Sequence, residues 1–524
     1  MAANDAMQES LFIEEVQGHQ ARYKKLLKFT HSSTKAAAAM LAAAIVALIV
    51  ANSGFYEPFT AFWELHFTIG VGESLFTLSL VDIINDVFMA IFFLMIGLEI
   101  KYEMTVGELT NIRQALLPVL AACGGVMVPI AIYLVFNASN PETAHGWGVP
   151  TATDIAFALG IMALLGNKVP NGVRVFLSTL AVADDIIAIL IIAFFYGHAP
   201  SMMWLLAAGV ILLVLIAMNR SHIYSLVPYL LVGVLLWICV FMSGIHSTIA
   251  GVLLAFTIPA GSRVNLKNFA SWSGKKVKQA NESFIADVPI LGQSDYLENV
   301  AHLSRVSREV VPPATRLERA LHPWVNFAVL PLFALTNAGV CLIDGSLGNI
   351  FADPALYGVF LGLVLGKPIG ILLFSLVTVK LKIAHLPENS NWMHIVGAGI
   401  LGGVGFTMAI FVANLAFTDP AMVTTAKVGI LSASALAGVI GFLFLWVQAR
   451  RDTKNGISYL TTSSESVCRQ AAGEEAKRAG EEALNEIKSP LLSRELEAAQ
   501  QEFGIAEVFV DLGEDNRLSN KEEI

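Results

Sequence analysis

Runs of about 20 consecutive apolar residues recur along this chain, each long enough to cross the hydrocarbon core of a bilayer as a helix. They fall near residues 34–52, 83–103, 114–136, 147–166, 173–196, 202–218, 226–242, 244–260, 322–342, 354–379, 392–417 and 422–448. That amounts to about twelve spans. Inside hydrocarbon every backbone N–H and C=O needs a partner within the protein, so such runs commit the chain to helices packed side by side. Composition agrees: 55% of residues are hydrophobic and 14% charged, against about 25% charged in a soluble domain. The fold class that follows is an all-α polytopic membrane protein.

Lys and Arg near the span ends orient the bundle, because positively charged loops stay cytoplasmic. With the N-terminus inside, Arg22, Lys24, Lys25, Lys28, Arg113, Lys168, Arg174, Arg220, Lys380, Lys382, Arg450 and Arg451 all fall on the inner side. The opposite loops 53–80, 137–146, 197–201, 343–353 and 418–421 contain neither residue. An even span count with both termini cytoplasmic is therefore expected. The polar N-terminal segment 1–33 carries no pattern of a cleavable signal peptide, so the first span is expected to serve as the insertion signal. Cys123, Cys239, Cys341 and Cys468 are scattered without metal-ligand spacing and read as small packing residues.

The membrane domain is expected over residues 34–450, with additions. Residues 65–80, on the outer side, hold two β-prone arms around Gly70-Val71-Gly72-Glu73, the pattern of a hairpin. Its free edge offers a strand for pairing with a second copy. The long loop 261–317 lies on the cytoplasmic side, with Lys275, Lys276 and Lys278 early and Pro312-Pro313 late. The tail 451–524 is polar, with an Ala/Glu-rich stretch around 471–501 of helical propensity. Its acidic residues account for much of the net charge of −9, so that charge is no sign of a nucleic-acid partner.

Asp184 and Asp185 stand side by side in an otherwise apolar span, and an ionisable residue at bilayer depth marks a functional site. Adjacent residues on a helix point about 100° apart, so the two carboxylates can flank a shared cavity or divide their work. Close, desolvated carboxylates resist ionising together, which couples their titration. Such a pair can hold protons or a small hard cation. Lys367, in Gly366-Lys367-Pro368, lies mid-span and needs a counter-charge, for which the acid pair is the candidate. Pro368 and its neighbouring glycines predict a kink there. Asp154 sits where Pro150-Thr151-Ala152-Thr153 interrupts one span, and Gly402-Gly403-Val404-Gly405 interrupts a late one. Paired interruptions point to discontinuous helices around a midplane site in an inverted repeat, with Asp154 and Lys367 suited to neutralise the half-helix ends.

Together with these residues, the blocks Asn85-Asp86, Gly97-Leu98-Glu99-Ile100-Lys101, Ser243-Gly244-Ile245-His246-Ser247-Thr248, Leu321-His322-Pro323-Trp324, Asn337-Ala338-Gly339 and Gly405-Phe406-Thr407-Met408 give the chain a close resemblance to the NhaA family of sodium/proton antiporters. That family is itself one of the known inverted-repeat transporters. The resemblance implies twelve helices, two of them discontinuous and crossing at the midplane, in a bacterial inner membrane. It implies export of Na+ or Li+ against entering H+, electrogenic and pH-regulated, with no resident cofactor. By resemblance Asp184 and Asp185 alternate between cation and protons, Lys367 pairs with Asp184 in the cation-free state, and Thr153 and Asp154 belong to the first broken helix. Asp86 is the acid near the cation pathway. Glu99, Glu103, His246, Glu318 and His322 match positions of pH response or the cytoplasmic funnel, and the hairpin 65–80 matches a homodimer contact. The loop 261–317 and the tail exceed the compact family pattern.

Other classes fit less well. An intramembrane aspartyl protease needs its acids from different helices, a retinal-type pump fits neither the span count nor the broken helices, and a channel needs no coupled proton acceptor.

Overall fold

Leu, Ile, Val and Ala fill the long runs almost without interruption, so helices end where Gly, Pro or polar residues return. The computed structural model describes residues 32–71, 74–110, 112–197, 200–341 and 353–454, with a few isolated positions elsewhere. The rest of the N-terminal segment and the tail after Lys454, including the stretch 471–501, lie outside the described residues. So do the hairpin tip at 72–73 and most of the loop 343–353.

Helix α1 (Ser33–Ala51) and the short α2 (Tyr56–Trp63) lead into strands β1 (His66–Val71) and β2 (Ser74–Ser79). The strands pair antiparallel, from His66 opposite Ser79 to Val71 opposite Ser74. Then come α3 (Leu80–Thr105), α4 (Ile112–Asn137), the bent pair α5 (Pro141–Thr151) and α6 (Ile155–Leu164), α7 (Asn171–Phe195), α8 (Met202–Arg220), α9 (Leu226–Ser243) and α10 (Thr248–Thr257). The loop 261–317 contains α11 (Leu266–Ser283) and α12 (Ser294–Val310), packed through Trp272 against His302 and Phe284 against Tyr296. Helices α13 (Pro313–Trp324) and α14 (Leu330–Asn337), α15 (Pro354–Lys380), the second bent pair α16 (Trp392–Gly402) and α17 (Phe406–Ala416), and α18 (Pro420–Lys454) complete the bundle.

Among the described residues, 8 helices are long and apolar enough to cross a membrane, and up to 10 spans result if each bent pair counts as one. Two expected spans look different. In 244–260 only α10 is helical, because Gly244 takes a left-handed φ of 84° and Pro259 follows its end. Ten residues reach about 15 Å, half a hydrocarbon core. In 322–342, helix begins earlier, at Pro313, so charged Arg316, Glu318 and Arg319 enter the first half.

The apolar side chains sort the bundle. One cluster draws on α4, α6, α7, α15, α16 and α18, and includes Leu117, Leu177, Ile371 and Leu401. A second draws on α3, α8, α9, α10 and α13, and includes Leu98, Leu236 and Leu254. A larger cluster includes residues of α3, α14 and α17. Within the first group α4 and α15 touch backbone to backbone: a Cβ on Gly124 would stand 2.4 Å from the Gly370 carbonyl oxygen. That approach brings Lys367, one turn earlier, into the interior.

Among the described residues, three π-turns widen the helices at Ile83–Phe88 in α3, at Val325–Val329 between α13 and α14, and at Gly362–Gly366 in α15. Such turns recur at functional positions. The last stands just before Lys367 and Pro368, where a kink is expected, and Lys367 itself keeps helical angles (φ −61°, ψ −55°). The wide turn just before it absorbs the clash and lost N–H that Pro368 imposes, so the span stays continuous.

A candidate ion site where two broken helices cross

The bent pairs meet where both have lost helical hydrogen bonds. α5 and α6 are inclined by 44° and α16 and α17 by 45°. The extended segments at the two breaks bond to each other, Asp154 N–H donating to the Val404 carbonyl at 2.8 Å. Glycine is required at this crossing: a Cβ on Gly403 would lie 2.5 Å from the Leu363 carbonyl oxygen.

Asp154 caps α6, its Oδ1 accepting from Phe157 N–H at 3.0 Å. Its Oδ2 accepts from the N–H (3.2 Å) and hydroxyl (2.5 Å) of Thr407, in the first turn of α17. One buried carboxylate thus stands between the N-terminal ends of both half-helices, where backbone partial charge is positive. Asp154→Ala leaves two buried N–H groups and a hydroxyl without an acceptor. At about 1–3 kcal/mol per orphaned group, we expect a loss of about 3 kcal/mol or more in thermal unfolding. Asp154→Asn, which keeps one acceptor oxygen but turns its NH2 on a backbone N–H, is expected to recover only part of it.

Lys367 reaches the site from α15. Its Nζ is ion-paired to Asp184 Oδ2 and donates to Thr153 Oγ1 at 2.5 Å. The Thr153 hydroxyl holds one proton, which it can give to Asp184 Oδ2 (2.6 Å) or to the Gly402 carbonyl (2.9 Å) at the end of α16. Lys367 therefore meets the C-terminal end of α16 through Thr153 and spends its direct contact on Asp184. With side chains 0% and 1% exposed, neither charge could stand alone.

Asp185 is as buried as its neighbour but differently placed. Its carboxylate is acted on by neighbouring charges and not by hydrogen-bond donors, while Asp184 Oδ1 is buried without a hydrogen-bond partner among the described residues. The charged groups within electrostatic reach of Asp185 are Asp184, Glu99, Asp154 and Lys367. Oxygen acceptors with spare lone pairs suit a hard cation or a proton. The pair and the lysine together carry one net negative charge, which either can neutralise.

The remaining predicted residues divide among several places. Asp86, in the first π-turn, accepts from the Ser247 hydroxyl at 2.8 Å, joining α3 to the start of α10. Glu99 and Glu103, one turn apart on α3, lie within electrostatic reach of Glu318 on α13, forming an acidic group. His246 is elsewhere, its Nε2 2.6 Å from the Tyr196 carbonyl. His322 faces Asn326, one turn on, at 3.1 Å.

Burial raises the half-buried Glu318 carboxyl above its ordinary 4.5; Arg319 opposes this and Glu103 adds to it. The folded chain then holds this proton more tightly than an unfolded one, so the group's stabilising contribution is full below the ordinary value and lost as pH rises through the raised one. Glu318→Gln is expected to flatten that decline, by no more than about 1 kcal/mol at this partly solvated position, in thermal unfolding across that range.

Thr407 and Asn85, Asn337 and Asn414 also enter polar networks here. The signal for them was present: an amide or hydroxyl deep in an apolar run needs a partner.

Comparison with known proteins gives the same picture over the same residues. Residues 27–445 match the family model described as Na+/H+ antiporter 1. The Na(+)/H(+) antiporter NhaA of Wolinella succinogenes is 44% identical over 429 residues, covering 81% of this chain and 93% of that protein. The protein of the same name from Acidithiobacillus ferrooxidans is 44% identical over 429 residues, covering 81% and 97%. That from Helicobacter pylori is 44% identical over 411 residues, covering 78% and 92%.

Proposed function

The chain belongs to the Na+/H+ antiporter 1 family, the NhaA antiporters, and from that premise we propose that it exports cytoplasmic Na+ or Li+ in exchange for entering protons. The observation that carries this reading is the buried cluster of Asp184, Lys367 and Thr153 beside an Asp185 carboxylate acted on by neighbouring charges and not by hydrogen-bond donors.

In the proposed cycle the site first faces the cytoplasm. Low proton activity leaves both acids free to ionise, and a cation enters to neutralise the one that Lys367 does not. Asp185 is its principal ligand. Asp184 exchanges its lysine for the cation or a proton. The group of helices built around the two breaks then rocks against the group containing α3, α8, α9, α10 and α13, as in other inverted-repeat carriers. Facing outward, protons displace the cation. If more protons than cations move per cycle, the exchange carries charge and the membrane potential drives it.

In this reading the Lys- and Arg-bearing loops face the cytoplasm together with both termini, and the two short helical stretches α10 and α13–α14 bring the spans to twelve in an inverted repeat. The hairpin β1–β2 then lies outside, where it supports a homodimer. The acidic group Glu99, Glu103 and Glu318 lies toward the cytoplasm, suited with His246 and His322 to pH response, while Asp86 lines the cation route.

Everted vesicles test the proposal. After respiration has acidified the lumen, added Na+ or Li+ is expected to raise lumenal pH, and K+ at equal concentration is not. No response to Na+ or Li+ in vesicles that contain the protein would refute antiport. Collapsing the membrane potential alone is expected to slow the exchange, and an unchanged rate would refute its electrogenic character.

A further inference from the structure

Beyond the ion site, one stripe of α17 runs from the break toward the end of the bundle that carries the hairpin: Thr407, Phe411 and Asn414, spaced four and three residues apart on one helix face. Thr407 holds Asp154. Phe411 packs its ring 5.5 Å from that of Phe93 on α3 and 6.3 Å from that of Phe333 on α14, and all three rings are buried. One turn further out, Asn414 Nδ2 donates to Asn337 Oδ1 at 2.8 Å, and Asn337 Nδ2 donates to Asn85 Oδ1 at 2.8 Å and to the Phe333 carbonyl at 3.2 Å. The aromatic layer and the amide layer use the same helices, α3, α14 and α17.

We propose that Asn414 and Asn337, backed by Phe411, Phe93 and Phe333, form the outer gate of the antiporter, closed in this structure and opened by parting the Asn337–Asn414 bond. The proposal rests on the antiport reading above and names the contact that alternating access must break.

The placement of the three helices carries it. α17 continues from the break whose first half, α16, shares its core with α4, α6, α7 and α15. α3 belongs to the other apolar group through Leu94 and Leu98 and fits closely against α10, where a Cβ on Gly251 would stand 2.3 Å from the Ala90 carbonyl oxygen. α14 is tied to α1, since Asn52 at the end of α1 donates to the Val340 carbonyl just beyond it at 2.8 Å. In the proposed movement the Asn85–Asn337 bond keeps α3 and α14 together on one side of the boundary, and the Asn337–Asn414 bond crosses it. The amides lie at the hairpin end of this stripe and the three rings next to them toward the break.

The chemistry suits a contact made and broken in every cycle. An interhelical hydrogen bond within a membrane shifts an equilibrium by only about threefold. Amides also do not ionise in the working range of the carboxylates, so the latch sets how often the site faces inward without itself answering to pH. Apparent affinity from the cytoplasmic side scales with the fraction of molecules facing that way. Asn414→Ala is therefore expected to raise the apparent KM for cytoplasmic Na+ by up to about threefold, with maximal rate changed less than twofold. A merely structural asparagine would instead lower the amount of active protein and leave KM in place, and that result counts against the gate.

Bridging the gate tests it directly. In a parent with Cys123, Cys239, Cys341 and Cys468 replaced by Ser, Asn337→Cys with Asn414→Cys is bridged by a short bis-methanethiosulfonate reagent, reconstituted and assayed for Na+-driven proton exchange. Exchange is expected to fall at least tenfold and to return with dithiothreitol, while Na+ binding measured in detergent persists. The pair Asn85→Cys with Asn337→Cys, bridged in the same way on one side of the boundary, is expected to keep exchanging. Undiminished exchange by the bridged 337–414 pair overturns the gate, as does equal arrest of both pairs. Absence of Na+-driven exchange in the wild-type chain would overturn the antiport reading instead.

Discussion

Asp185→Asn is expected to abolish sodium-driven proton exchange, lowering its rate by about 100-fold or more, in a protein that remains inserted and folded. The substitution conserves size and removes the charge that no neighbouring group occupies. Asp184 is already answered by Lys367 and Thr153, so the cation depends on Asp185 for neutralisation. A 100-fold loss corresponds to about 2.7 kcal/mol, within what a desolvated charge contact supplies. Stability moves the other way or not at all, because the lost carboxylate was held by no hydrogen-bond donor and was costly to bury beside three other acids. Everted-vesicle exchange together with thermal unfolding separates the two effects. Exchange at more than a tenth of the wild-type rate would show that Asp185 is not the principal ligand.

Lys367→Met has the opposite profile. Methionine fills a similar volume but leaves Asp184 buried without its counter-charge, and breaking a buried ion pair by removing one partner costs about 3–5 kcal/mol. Thermal stability without Na+ is expected to fall accordingly. Na+ then has Asp184 to itself, since it no longer displaces an ammonium from Oδ2. The variant should bind Na+ about tenfold more tightly and gain more stability from it than the wild type does. Exchange should drop, because a site that keeps its cation releases it slowly. Unaltered stability without Na+ would mean that Asp184 is held protonated and needs no lysine.

The features visible in the sequence share one physical origin. A charge within an apolar run is so costly that it must be functional, and Asp154, Asp184, Asp185 and Lys367 stand out on that ground from the order of residues alone. Their partners are harder to see. Thr407 and Asn414 look like ordinary polar residues of a membrane helix until α17 is turned to show that one meets Asp154 and the other Asn337. The π-turns are invisible because a helix one residue wider per turn leaves hydrophobic periodicity almost unchanged over so short a stretch. Pro368 marks the place, but not that a wide turn precedes it while Lys367 stays helical.

Helix length misled in one place. Residues 244–260 are apolar enough to span a membrane, but Gly244 and the polar Ser243 and Ser247 delay the helix to Thr248. Composition registers how apolar a segment is and not where its hydrogen bonds begin. The loop 261–317 shows the converse: its polar sequence concealed α11 and α12, which hold together through aromatic contacts such as Trp272 with His302.

Competition between proton and cation for the Asp184–Asp185 pair is the centre of the account, and calorimetric titration of the purified protein with Na+ at two pH values tests it most directly. Once the pair binds protons, Na+ affinity is expected to weaken about tenfold per pH unit for each competing proton, and Na+ binding is expected to release protons into the buffer. Asp185→Asn should abolish both effects. Na+ affinity that stays constant as pH falls, with no proton released, would contradict it.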